Sequence, residues 1–120
     1  MKFGVIGFGN MGGAIVRGAL NKGTLKKEDV NVYDILDIRN QEAAELGLHV
    51  CADDEAVCAE SDIILLAVKP QQMEEALGMC KKALAGKAMM SIVAGVSIER
   101  LKNAISGKSP RILRLLPNTP

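Results

Sequence analysis

Gly7, Gly9 and Gly12 stand in the spacing Gly-x-Gly-x-x-Gly, directly after an apolar run and directly before residues with helical spacing. Glycines so placed act through the backbone, letting N–H groups close around a charged diphosphate. Gly7 permits the tight turn, Gly9 leaves room where a Cβ would meet the anion, and Gly12 lets the helix settle against the strand. Phe8, Asn10 and Met11 complete the loop, and the positive end of the helix dipole faces the same anion. Asp34 closes the next apolar run. A carboxylate there can accept hydrogen bonds from both hydroxyls of an adenosine ribose, and it repels a 2′-phosphate. Arg39 lies in reach of the same loop and could instead hold a 2′-phosphate through its planar fork; a solvated helix position is the plain alternative. The balance leans toward NADH without excluding NADPH.

A second group of residues falls further along. Val68-Lys69-Pro70 places a cation where it could approach a nicotinamide ribose or the diphosphate, or simply lie on the surface. Ala94-Gly95 offers small side chains where a cofactor could pass close to backbone, or a plain turn. Arg111 and Arg114 could orient an anionic substrate, but covering a sheet edge is the simpler role. His49 is the only histidine. It falls on a predicted strand away from the glycine loop and reads as a structural residue, and no Ser–His–Asp set is in view. Hydride transfer from a reduced nicotinamide asks mainly for positioning, because the cofactor carries the hard chemistry.

The totals narrow the classes. A chain of 120 residues, 48% apolar, is enough for one core, and a net charge of +1 gives no footprint for nucleic acid. Aromatic residues make up 2%, too few for base-stacking platforms. The three cysteines, Cys51, Cys58 and Cys80, lack Cys-x-x-Cys spacing and read as reduced thiols. With a single histidine besides, no zinc site is expected. No secretory segment or membrane-spanning run is evident.

The elements that must position these residues alternate in type. Strands are expected at 2–6, 30–33, 49–51, 63–68, 88–93 and 112–116. Helices are expected at 11–22, with Met11, Ile15, Ala19 and Leu20 inward, and from an Asp37 cap to about Leu46. A short helix capped by Asp53 or Asp54 should run to Cys58, and another from Gln71 to Ala85 with Met73, Ala76, Leu77, Cys80 and Leu84 inward. A last one is capped by Ser97, with Ile98, Leu101 and Ile105 inward. The run Ile63–Val68 is apolar on both faces, as a buried parallel strand requires, and Pro70 ends it. Two β-α-β-α-β halves predict a doubly wound parallel sheet of order 3-2-1-4-5-6 in one domain, residues 1–120. Its crevice opens where the strand order reverses, and the loops just described all reach that edge.

The chain also resembles the N-terminal dinucleotide-binding domain of the pyrroline-5-carboxylate reductases over essentially its whole length. The resemblance rests on residues 7–12, on Ala67-Val68-Lys69-Pro70-Gln71, on Ser91-Ile92-Val93-Ala94-Gly95-Val96 and on Arg114-Leu115-Leu116-Pro117-Asn118-Thr119-Pro120. It implies a Rossmann fold and reduction of the C=N bond of 1-pyrroline-5-carboxylate by NAD(P)H to give proline. It implies that Gly7, Phe8, Gly9, Asn10, Met11 and Gly12 hold the diphosphate and that the Asp34 loop selects between NADH and NADPH. Ala67, Val68, Lys69 and Pro70 would line the nicotinamide half beside Ile92, Val93 and Ala94, with Asn118 near the junction of cofactor and substrate. Asp54 stands where family members commonly carry an asparagine against the adenosine half. Asp34 stands where many carry small or basic residues, Val93 where alanine is frequent, and Leu116 where methionine is.

Family members continue past this last motif into a helical domain that forms the dimer and binds the substrate carboxylate. The chain therefore reads as a fragment: a monomeric, cytoplasmic, cofactor-binding half with little turnover, from a homo-oligomeric enzyme. Its expected partner is a small-molecule substrate, with neither nucleic acid nor membrane. The cofactor domain of another two-domain reductase, such as a β-hydroxyacid dehydrogenase, and a non-catalytic nucleotide-binding module are the alternatives. A catalytic lysine in a helical second domain would mark the former, and cofactor affinity without turnover in the complete protein the latter.

Overall fold

The computed structural model describes residues 1–80, 82–105 and 107–115. Strand β1 (Phe3–Ile6) leads into α1 (Asn10–Asn21), then β2 (Val30–Tyr33), α2 (Asp37–Glu45), β3 (His49–Val50) and α3 (Asp54–Ala59). The second half runs β4 (Ile63–Leu66), α4 (Met73–Met79), β5 (Ala88–Ser91), α5 (Ile98–Ala104) and β6 (Arg111–Arg114). The strands form one parallel sheet of order β3-β2-β1-β4-β5-β6, as the alternation predicts.

Each face of the sheet has its own core, because side chains along a strand alternate sides. Ile6, Ile64 and Leu66 point to the side covered by α3, α4 and α5, where Val57, Met73, Leu77 and Leu101 close over them. Val5, Val32 and Leu65 point to the other side, against Val16 of α1 and Ala43 of α2. A run such as Ile63–Leu66 with no polar residue is thus buried from both sides.

Several local expectations shift. In α1 the residues turned to the sheet are Gly12, Gly13 and Val16, while Met11 and Ile15 are about two-fifths exposed. The N-terminal turn lies so close to β1 and β4 that only glycine fits there. Ile98 is likewise exposed, while Leu101 and Ile105 are buried as expected. Asp37 opens α2 rather than capping it; Leu36 takes the cap position with no side-chain bond. Asp53, not Asp54, caps α3, its Oδ1 accepting from Ala56 N at 2.8 Å. Ser97 caps α5 by accepting from Arg100 N at 3.1 Å.

β4 and β5 end sooner than the apolar runs that contain them. Ala67 N and Ile92 N still donate to Ile6 O and Leu66 O before the chain leaves the sheet. Pro70 therefore does not end the strand; it opens a single 3-10 turn, Pro70–Gln72, that feeds α4. The helix expected to reach Ala85 stops at Met79, and i to i+3 turns bring Leu84 back into the core. Helical spacing cannot tell such turns from a continuing helix. The expected strand end at Leu116 and the motif Pro117–Pro120, Asn118 included, lie outside the described residues.

Candidate functional site

Gly7 turns the chain out of β1 with φ +95°, a conformation that L side chains rarely adopt. Its N–H donates to Tyr33 O at 2.9 Å and ties the loop to the end of β2. A Cβ on Gly7 would meet Ala67 O at 2.6 Å, and one on Gly12 would meet Gly7 O at 2.5 Å. Both are packing requirements. Gly9 is different: it caps α1 at φ −81°, and nothing lies within 4 Å of the place its Cβ would take. The loop therefore keeps open space beside Gly9 that the protein itself does not need.

That space adjoins unsatisfied donors. The bond from Gly13 N to Gly9 O, at 2.8 Å, opens the helical ladder, and no side chain caps α1. The N–H groups of Asn10, Met11 and Gly12 come before that bond, pointing out of the helix end, and a bound anion would also meet the positive dipole. The loop fits a diphosphate.

Asp34 sits across from the loop. Its Oδ2 accepts from Phe8 N at 2.6 Å and its Oδ1 from Leu36 N at 2.8 Å. Asn40 fixes its backbone from both sides, accepting from Asp34 N at 2.9 Å and donating to Asp34 O at 2.8 Å. One carboxylate thus joins the glycine loop to the turn after β2. Each oxygen keeps further acceptor capacity, enough for ribose hydroxyls.

The wall beyond Asp34 is acidic. Half-buried Asp54 is pushed up to about 6, first by burial and then by the charges of Asp53, Asp34 and Glu75. The phenol of Tyr33 is also raised above its usual value, by burial and then by Asp54, Asp37, Asp53 and Asp34. Arg39 borders the same space, but its guanidinium lies 3.3 Å from Glu42, which Arg17 also approaches at 3.5 Å. Glu42 thus divides its single charge between two guanidiniums, and Arg39 is held toward it.

These groups line one crevice of about 640 Å³ at the carboxyl ends of β1, β2 and β4. Gly7, Gly9, Asn10, Met11, Asp34 and Asp54 border it, as do Ala67, Val68, Lys69, Pro70, Ile92 and Ala94. Three of the expected residues sit behind its surface. The Phe8 ring is fully buried with Val5 and Val16 on the α1 side of the sheet, so its part in the loop is its N–H. Gly12 is buried under the turn, and Val93 points into the opposite core. Sequence reasoning missed Tyr33, Ile35, Leu36, Gln72, Glu75 and Met79, which also border the crevice. The adjacent Ile35 and Leu36, exposed and apolar just after a strand, were a readable signal. Glu75 and Met79 were not, because they lie on α4 beside its buried face of Met73, Ala76 and Leu77 rather than in a loop at the strand ends.

His49 lies away from the crevice, as its sequence context suggests, with Nε2 3.7 Å from Glu60 Oε1. It stands at the outer strand β3, with its side chain 59% exposed.

A parallel sheet whose order reverses beside an open, donor-lined glycine turn is the architecture of the doubly wound, dinucleotide-binding class of α/β domains. The chain belongs to the family described as NADP oxidoreductase, coenzyme F420-dependent, which it matches over residues 2–95. It is 37% identical over 118 residues to the pyrroline-5-carboxylate reductase of Aquifex aeolicus, covering 98% of this chain and 43% of that protein. The enzyme of the same name from Methanosarcina acetivorans is 34% identical, with 98% and 44% covered. Among solved structures, the Plasmodium falciparum pyrroline carboxylate reductase with NADP bound superposes with a TM-score of 0.84 at 29% identity. It covers 98% of this chain and 42% of its own. The pyrroline-5-carboxylate reductase from Coxiella burnetii gives 0.86 at 30% identity, with 99% and 44% covered. The chain thus spans a little over two-fifths of the relatives it matches. Among the described residues no helix is long and apolar enough to cross a membrane.

Proposed function

We propose that this chain is the cofactor-binding half of a pyrroline-5-carboxylate reductase and that residues 1–120 act as one NAD(P)-binding unit. The observation that carries the reading is the open space beside Gly9, bordered by N–H groups that precede the helical ladder. The relatives point the same way. A reduced nicotinamide, when bound, supplies the hydride that converts the C=N bond of 1-pyrroline-5-carboxylate to the C–N bond of proline. The protein's part is to hold it.

Asn10, Met11 and Gly12 bind the diphosphate through their N–H groups, and Gly9 admits it. Asp34 accepts the adenosine ribose hydroxyls while keeping its bonds to Phe8 and Leu36. Asp53, Asp54 and Glu75 make the surroundings of that ribose negative, so a 2′-phosphate is disfavoured and NADH is the preferred form. Lys69, Pro70, Ile92 and Ala94 line the half of the crevice nearer β4 and β5 and orient the ring. Substrate capture and assembly of a homo-oligomer would draw on the length that the relatives have beyond the part this chain matches. Alone, the chain is a monomer that binds cofactor and turns over little, and its site of action is cytoplasmic.

Fluorescence titration with NADH and NADPH tests the binding. We expect saturable binding of both, with NADH at least about tenfold tighter, a difference of roughly 1.4 kcal/mol. Gly9→Ala should abolish it while leaving stability within about 0.5 kcal/mol, since the weaker cap and the stiffer unfolded chain offset each other. Tighter binding of NADPH overturns the role of the acidic wall, and unimpaired binding by Gly9→Ala overturns the role of the loop. For the reaction, substrate-dependent NADH oxidation by the complete protein is the measurement, and inactivity toward this imine rules the assignment out.

A further inference from the structure

On the outer edge of the sheet the fold gathers three side chains that have no part in the crevice. His49 and Cys51 alternate along β3 and its extension, so both project from the same face. Glu60 follows directly on α3 and meets them from the neighbouring element. Cys51 Sγ donates to Glu60 Oε2 at 3.5 Å, and His49 Nε2 lies 3.7 Å from Glu60 Oε1. One ligand atom from each of the three falls within 4.8 Å of the others, so this is a cluster of metal-ligand types.

We propose that His49, Cys51 and Glu60 bind a borderline-soft divalent cation, of which Zn²⁺ is the type. The distances suit a tetrahedral site. Ordinary Zn–S, Zn–N and Zn–O bond lengths imply edges of about 3.4–3.6 Å between ligand atoms. The contacts to Glu60, 3.5 Å from Cys51 Sγ to Oε2 and 3.7 Å from His49 Nε2 to Oε1, go to its two oxygens, and small turns of the exposed carboxylate and imidazole bring one oxygen, the sulfur and the nitrogen to those edges. A thiolate and a carboxylate balance the two positive charges, and neutral imidazole completes a mixed donor set. Three protein ligands leave the fourth vertex to water.

The backbone under the cluster is held independently of any ion. Asn31, opposite His49 in the β2–β3 register, donates through Nδ2 to Glu60 O at 3.1 Å and to Ser61 Oγ at 3.0 Å. Cys51 N donates to Val32 O at 2.8 Å. The ligands thus start from fixed positions, and a cation would staple a two-residue strand to α3. The histidine and glutamate side chains are more than half exposed, which leaves a path for entry.

Metal-stripped, reduced protein titrated with Co²⁺ tests the site. We expect a thiolate-to-cobalt charge-transfer band that saturates, disappears on adding Zn²⁺, and is absent in Cys51→Ser. His49→Ala and Glu60→Gln, both at exposed positions, should each weaken Co²⁺ binding by at least about tenfold while the far-ultraviolet circular dichroism stays unchanged. A folded protein that gives no such band overturns the proposal. So does a band unweakened in both exposed variants, because they would then not be ligands, or a band that survives Cys51→Ser, because the thiolate would then come from Cys58 or Cys80.

Discussion

Asp54 is a carboxyl group held where its charge is unwelcome. Its folded value near 6 exceeds the ordinary 3.8, chiefly through burial. Below about 3.8 the group is neutral in both folded and unfolded chains, and its contribution to stability is fully present. As pH rises through 6 that contribution is lost, because ionisation is harder in the fold than in the unfolded chain. Asp54→Asn removes the charge while keeping the shape. We expect thermal melts to show the variant more stable by about 1 kcal/mol at pH 7.5, discounted for solvent screening of a half-buried group, and nearly equal to the parent at pH 4. The same change should tighten binding of both NADH and NADPH by lowering the negative charge of the crevice wall. Asp34 offers no such clean substitution, since its carboxylate also holds Phe8 and Leu36.

At the scale of elements, the approach of α1 to the sheet decides the most. Gly12→Ala puts a methyl group 2.5 Å from Gly7 O and 2.9 Å from the Ala67 Cβ, so α1 must move away from β4. Denaturant titration should show a loss of about 1–3 kcal/mol, the range for overpacking a close contact. Cofactor affinity should fall with it, which separates this glycine from Gly9, where affinity falls and stability holds. Strand positions were legible in the sequence because parallel strands buried on both faces, such as Ile63–Leu66, read as unbroken apolar runs. The inward face of α1 was not. Met11 and Ile15 carry the apolar surface, yet distance rather than hydropathy selects what faces the sheet, and glycine is invisible to a hydrophobic pattern. The cluster at His49, Cys51 and Glu60 was hidden for a related reason: its third member comes from another element, and ligand spacing along the chain shows only the first two.

The whole molecule is one sheet between two cores, so loss of either core should release the other. Leu66, with no exposed surface, sits in the centre of the α3–α5 side. Leu66→Ala should cost about 2–5 kcal/mol, and chemical unfolding followed at any probe should remain a single transition. The doubly wound order was legible from the alternation of elements alone, while the crevice floor depended on how far each loop carries its residues past the sheet.

Tyr33 gives this arrangement an optical consequence. The chain has no tryptophan and only this tyrosine, so all of its tyrosine emission arises at the mouth of the crevice. Light absorbed by the protein at tyrosine wavelengths is therefore reported from a single point between β2 and the acidic wall. A bound reduced nicotinamide absorbs where tyrosine emits, so occupancy would be written directly into that one signal, with no label and no background from the rest of the fold.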